Sequence, residues 1–233
     1  MVRFILFGFA VLLVAVPVHA RKPYLDLDGE KTYDGLYPVK KTVMGDAWAR
    51  DDLDLTDYDK IMLVPTGLHY RPVKPMRSSS SLARNRTYFP LDEKQKARLQ
   101  EVVQEEFQKE FAQLDRFEVV SEPGPGVLLL RGGIYDIVSR VPPKSVGRTE
   151  FYLSSLGGAA IVLELVDSLS NTVIVRAVSA KSVDQRGALT DSNPVINTAQ
   201  VRRHMRQWAR WIRRALEQVV AVDEQGKIVL DKN

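Results

Sequence analysis

Apolar and polar positions along this chain follow two periods, one of strands and one of helices. Phe4 to Val16 is an unbroken apolar run that ends at Pro17. Residues 21–57 show little periodicity and place Asp26, Asp28, Gly29, Asp34 and Gly35 in quick succession, a turn-rich composition that predicts an extended arm wrapping the domain. Lys60-Ile61-Met62-Leu63-Val64-Pro65 is then a short continuous apolar run, as in a central strand, extending to Tyr70. Arg71 to Pro90 holds Pro72, Pro75 and four consecutive serines and reads as a long loop. Asp92 and Gln95 form a capping-box pair ahead of Leu99, Val103, Phe107, Phe111 and Leu114, the apolar stripe of a helix whose other face is Gln, Glu and Lys.

Phe117 to Val120 predicts a short strand, and Glu122-Pro123-Gly124-Pro125-Gly126 a rigid turn. Val127 to Val138 predicts a longer strand in which Gly132 and Gly133 mark a bulge or a close backbone approach. A second loop, Ser139 to Gly158, precedes a hairpin of Ala159 to Ser168 with Thr172 to Val183. A three-residue turn with Asn171 in the left-handed conformation sets Ser168 opposite Thr172 and Glu164 opposite Arg176. After a third loop, Gln185 to Asn197, the strongest helical pattern runs from Thr198 to Val220 through Val201, Met205, Trp208, Ile212, Leu216 and Val219. Lys227 to Leu230 adds a short last strand. This order predicts an α+β fold: a mixed, mostly antiparallel sheet of about five strands with two amphipathic helices on one face.

Composition changes the picture at the N-terminus. Arg3 ahead of the apolar run, and Val18-His19-Ala20 after Pro17, match a secretion signal cleaved after Ala20. The run is shorter than the ~20 residues needed to span hydrocarbon. The expected organisation is a signal peptide at 1–20, the arm at 21–57 and a single domain at 58–233, located in the periplasm or otherwise outside the cytoplasm. Without Arg3 the chain keeps 32 basic against 29 acidic residues, a mild excess that speaks to weak association rather than fold. Cysteine is absent, which excludes thiol catalysis, redox exchange and thiolate metal sites.

Several motifs recur together in one order: Tyr58-Asp59-Lys60-Ile61-Met62-Leu63-Val64-Pro65, Pro123-Gly124-Pro125-Gly126-Val127-Leu128-Leu129-Leu130-Arg131, Gly158-Ala159-Ala160 with Glu164-Leu165-Val166-Asp167-Ser168, and a closing helix with Trp208-Ala209. From about Tyr58 to Leu216 the chain resembles the bacterial envelope proteins grouped as domain of unknown function 3313, many of them lipoproteins. The resemblance implies a bacterial source and an envelope location, and no reaction. The lipid-bearing Cys usual in that family is missing here, and Asn171 stands where relatives tend to have Gly.

Enzyme chemistry finds little support. Beyond the signal only His69 and His204 remain, without zinc-site spacing. No G-x-S-x-G elbow exists, although Ser154 and Ser155 precede Gly157. Gly132-Gly133 and Gly157-Gly158 lack phosphate-loop spacing. Glu150, Asp136 and Asp167 are candidates for a carboxylate pair by residue type alone. The basic residues say more. Arg71, Lys74, Arg77, Arg84 and Arg86 share a loop containing no acid, flanked by Tyr70, Tyr88 and Phe89. Arg140, Lys144 and Arg148 repeat the pattern in the second loop, with no carboxylate before Glu150. Arg203, Arg206, Arg210, Arg213 and Arg214 lie off the apolar stripe of the last helix.

Exposed arginines are ordinarily solvated surface, but an unbalanced set attracts an anionic partner. The expectation is a non-enzymatic exported binding module with no catalytic residue, metal or cofactor. Its candidate partner-binding residues are Arg71, Lys74, Arg77, Arg84, Arg86, Tyr88, Arg140, Lys144 and Arg148. They would meet an anionic envelope partner, an acidic protein surface or lipid headgroups, and not nucleic acid. The alternatives are a carboxylate-based hydrolase of an envelope polymer and a carrier of apolar small molecules.

Overall fold

The computed structural model describes residues 22–42, 44–73, 88–139, 152–153, 155–184, 190–191 and 194–230. Its strands are β1 (Tyr24–Leu25), β2 (Tyr37–Lys40), β3 (Asp46–Ala49), β4 (Lys60–Tyr70), β5 (Glu118–Val120), β6 (Val127–Ser139), β7 (Tyr152–Leu153), β8 (Ser155–Asp167), β9 (Val173–Asp184), β10 (Thr190–Asp191), β11 (Val219–Val222) and β12 (Ile228–Leu230). Two helices are described, α1 (Glu93–Phe111) between β4 and β5 and α2 (Pro194–Gln218) between β10 and β11.

Among the described residues the main sheet has eight strands in the order β1-β2-β3-β9-β8-β6-β4-β5. It is antiparallel except around β4, which runs parallel to β5 and β6. The α+β class and the mixed sheet agree with the sequence reading; the strand number does not. Five strands were expected, and the residues read as a wrapping arm supply three more. Asp46 to Ala49 pair with Val178 to Val175, so the arm continues the sheet past β9. Its strands are only two to four residues long and separated by turns, too short to show a period of two.

The core fills one face of this sheet. Ile61, Leu128, Leu130, Ile134, Ile161 and Leu165 point toward Val102 and Phe111 of α1 and Met205, Trp208, Ile212 and Leu216 of α2. The α1 N-terminus is held as the sequence predicts: Asp92 accepts from the Gln95 amide at 2.8 Å, and Gln95 accepts from the Asp92 amide at 2.9 Å. α2 starts four residues earlier than expected, at Pro194, because proline suits the first turn of a helix. It ends at Gln218, where β11 turns back to pair with β12.

The β8–β9 hairpin keeps most of the predicted register. Glu164 lies opposite Arg176, with a 2.9 Å ion pair, and Asn171 has φ 58°. The turn itself differs. Thr172 faces Asp167, not Ser168, accepting the Asp167 amide at 3.0 Å, so residues 168–171 form a four-residue loop. Because Leu165 pairs with Val175 and Val166 with Val173, a bulge at Ile174 absorbs the offset. Ser168 is drawn instead to the 123–126 turn, where its Oγ donates to the Gly124 carbonyl at 2.8 Å.

The predicted glycine pair is a place of close approach. A Cβ on Gly133 would lie 2.2 Å from the Thr66 Oγ1, and one on Gly132 2.7 Å from Leu163. The β6 register shift comes slightly later, between Tyr135 and Val138, where Asp136 takes φ 56°.

Candidate functional site

The two acid-free loops leave the sheet at one end. Because β4 and β6 are parallel, Arg71 and Ser139 emerge side by side. The Arg71 amide donates to the Ile137 carbonyl at 3.0 Å, and the Phe89 amide to the Ser139 carbonyl at 2.7 Å. Tyr152 and Leu153, at the far side of the second loop, pair with Asp191 and Thr190, which brings the chain to the same end three residues before α2 begins at Pro194.

Of the candidate partner-binding residues, the structure describes Arg71 and Tyr88. Lys74, Arg77, Arg84, Arg86, Arg140, Lys144 and Arg148 lie outside the described residues. Arg71 Nε donates to Asp136 Oδ1 at 2.6 Å, and its Nη2 donates to Asp136 Oδ2. Its guanidinium stands over the Tyr88 ring, 5.1 Å from the centroid. The loop without acids therefore takes one from β6. This fork holds the Asp136 carboxyl below the usual carboxylate range and secures the left-handed backbone there. Arg71 and Tyr88 thus brace the roots of the basic loops.

Neither described candidate for carboxylate catalysis is poised as a general acid, which needs a raised pKa. Asp136 is held ionised by Arg71. Asp167 is held low first by the Ser170 amide, with further bonds from Ser170, Tyr58 and Leu169; it caps the β8–β9 turn and accepts the Tyr58 hydroxyl at 3.0 Å. Glu150 lies outside the described residues, as does Ser154.

His69 stacks on Tyr135 with centroids 4.3 Å apart, while its Nε2 lies 2.9 Å from the Thr66 carbonyl. Among the described residues no group of three His, Asp or Glu side chains is arranged to hold a metal ion. A groove of about 230 Å³ beside β2 and β3, lined by Lys40, Lys41, Thr42, Asp46 and Trp48 among others, is smaller and more polar than the ~300–1,000 Å³ typical of an apolar-ligand pocket.

The feature missed in the sequence lies between the helices. Glu106 and Glu110, read there as part of the polar face of α1, are 0% and 5% exposed. Arg202 Nη1 donates to Glu106 Oε1 at 2.8 Å and Arg206 Nε to Oε2 at 2.7 Å. Arg210 and Arg213 flank Glu110 at 3.2 and 3.3 Å. Arg213 also pairs with Glu217 at 2.9 Å. The bond from Arg206, against the opposing effect of burial, holds the Glu106 carboxyl below its ordinary range. A signal was present: glutamates four apart on one helix match arginines four apart on another, so each repeat lines one face.

Pairing leaves an excess of cation. α1 carries four basic and five acidic residues, α2 six arginines and the single acid Glu217. Arg203, Arg206, Arg210 and Arg214 are all exposed. Among the described residues Arg203 and Arg214 make no ion pair, whereas Arg206 and Arg210 are each about half exposed beyond the carboxylates they hold.

A family model described as protein of unknown function (DUF3313) matches residues 28–212. No curated protein matches the chain. Solved structures give distant likenesses. A Xanthomonas campestris protein of family DUF330 is 10% identical, with 69% of this chain and 83% of that one covered and a TM-score of 0.39. The PelC dodecamer from Paraburkholderia phytofirmans is 9% identical over 72% and 98%, with a TM-score of 0.32. A neuraminyllactose-binding hemagglutinin homolog from Helicobacter pylori is 15% identical over 69% and 81%, with a TM-score of 0.31. At these scores none bears on the function of this chain.

Proposed function

Because the chain belongs to DUF3313, a family of proteins of unknown function, membership supplies no reaction, and we propose from its own features an exported envelope protein that binds an anionic partner without catalysis. Residues 1–20 act as the cleaved export signal, and the mature chain works outside the cytoplasm. The observation that carries this reading is the stitching of Arg71 to Ile137 and Phe89 to Ser139. It gathers the roots of both acid-free loops at the end of the sheet from which the arginine-rich α2 departs. The Arg71–Asp136 fork and the Tyr88 ring support that end, and Arg77, Arg84, Arg86, Arg140, Lys144 and Arg148 supply its charge together with Lys74. No described helix is long and apolar enough to cross a membrane.

The test is affinity capture from envelope extract with the exported protein and with an R77E/R84E/R86E variant. Arg71 stays native, because its loss would disturb the Asp136 bulge. The reading expects the captured partner to be lost on charge reversal. An unchanged set of partners would refute it.

A further inference from the structure

Granted a cationic binding face, we infer that its docking element is the outward row Arg203, Arg206, Arg210 and Arg214 of α2, and that it lies against a surface of phosphate-bearing anionic lipid. The spacing of three, four and four residues keeps these side chains on one side of the helix, over about 16 Å of axis. The row is straight because α2 lies on the sheet along its opposite, apolar stripe of Met205, Trp208, Ile212 and Leu216.

Two features select lipid phosphate over an acidic protein. Gln207 is the exposed residue set among the four arginines, and the nearest aromatic side chain, Trp211, is half-buried and packs back against the core, so the row offers no fully exposed apolar or aromatic anchor of the kind that concentrates energy in protein interfaces. A plane of phosphates needs no anchor, and guanidinium groups match phosphate oxygens in paired hydrogen bonds. The buried acids behind the row also prepare it. Glu106 holds Arg206 through Nε, and Glu110 holds Arg210 through Nε and Nη2. This leaves Nη1 and Nη2 of Arg206 and Nη1 of Arg210 unused by those bonds. Side chains fixed in this way lose less conformational freedom on binding. Arg203 and Arg214 extend the prepared pair at both ends without any ion pair among the described residues.

The experiment measures partition of the protein, as isolated from expressing cells, onto vesicles of phosphatidylglycerol mixed with phosphatidylcholine and onto vesicles of phosphatidylcholine alone. The reading out is the preference for the anionic vesicles. An R203Q/R214Q variant removes two charges that stabilise no described contact. A K60Q/R131Q variant removes two from the opposite face of the sheet, since both alternate with the core residues Ile61 and Leu130. Far-UV circular dichroism confirms that each variant folds. Each arginine near an anionic surface contributes about fivefold, so R203Q/R214Q should lose about twenty-fivefold of the preference while K60Q/R131Q keeps it. Added salt should weaken the preference. A preference that R203Q/R214Q leaves intact would overturn the assignment to α2. If the native protein ignores the anionic vesicles but binds soluble polyglutamate through the same arginines, the lipid assignment falls and the cationic face stands. Failure to bind either probe would remove both.

Discussion

Glu106 allows a sharp test of how the two helices are held together. The perturbation is R202Q/R206Q, which removes both guanidiniums from a fully buried carboxylate. Stripping one side of a buried ion pair costs about 3–5 kcal/mol, because the remaining charge is left uncompensated. For a domain of this size, about 2–4 °C of melting temperature accompanies each kcal/mol, so the midpoint should fall by roughly 6–20 °C. Adding E106Q to that background removes the stranded charge and should recover at least half of the loss. The sign with pH follows from the lowered Glu106 pKa. In the native protein its contribution is present above the unfolded value of about 4.3 and is lost as pH falls through the lower folded value. In R202Q/R206Q burial without a cation raises the Glu106 pKa instead, so the deficit should begin to shrink at a pH above the unfolded value, as protonation neutralises the stranded carboxylate. Urea denaturation at neutral and acid pH measures both. A loss below ~1 kcal/mol for R202Q/R206Q, or a triple variant less stable than the double, would refute the reasoning.

Other outcomes follow from single sites. Arg116 donates to the carbonyls of Leu55, Leu216 and Val219, joining the arm to the end of α2. R116M should cost about 1.5–3 kcal/mol in urea denaturation, and a neutral result would deny it that role. Gly157 has φ 155° and a Cβ there would lie 2.1 Å from the Val138 carbonyl; G157A should destabilise the fold by about 1–3 kcal/mol, which thermal melting reads directly. Burial, aided by the bond to Asp167, pushes the Tyr58 phenol up to about 12. Its contribution to stability is present below the ordinary tyrosine value near 10 and is lost as pH rises toward 12. Ultraviolet titration should show a tyrosine ionising near 12 whose step is absent in Y58F, and an unchanged profile in Y58F would assign it elsewhere.

Elements whose signal is local were legible in the sequence. The Asp92–Gln95 capping pair, the run from Lys60 to Tyr70 and the left-handed Asn171 each depend on a few adjacent residues. The structure reproduces all three. The hairpin register was legible in its middle and wrong at its turn, where Ser168 is taken up by the Gly124 carbonyl ahead of the neighbouring strand and a bulge at Ile174 absorbs the offset. The arm was misread because Ala47 and Ala49 are buried only once β9 offers them an edge. Glu106 and Glu110 were assigned to solvent for a related reason. One helix shows which residues share a face, whereas α2 decides that this face is covered. The cationic loops were legible as composition, and the adjacency of their roots was not, since it rests on β4 and β6 running parallel and on the amides of Arg71 and Phe89.

Export is the premise on which partner, compartment and surface chemistry all rest. Fractionation of the producing cell with intact-mass determination of the recovered protein tests it most directly. The account predicts a chain beginning at Arg21 in the extracytoplasmic fraction. A chain still beginning at Met1 and recovered from the cytosol would contradict it.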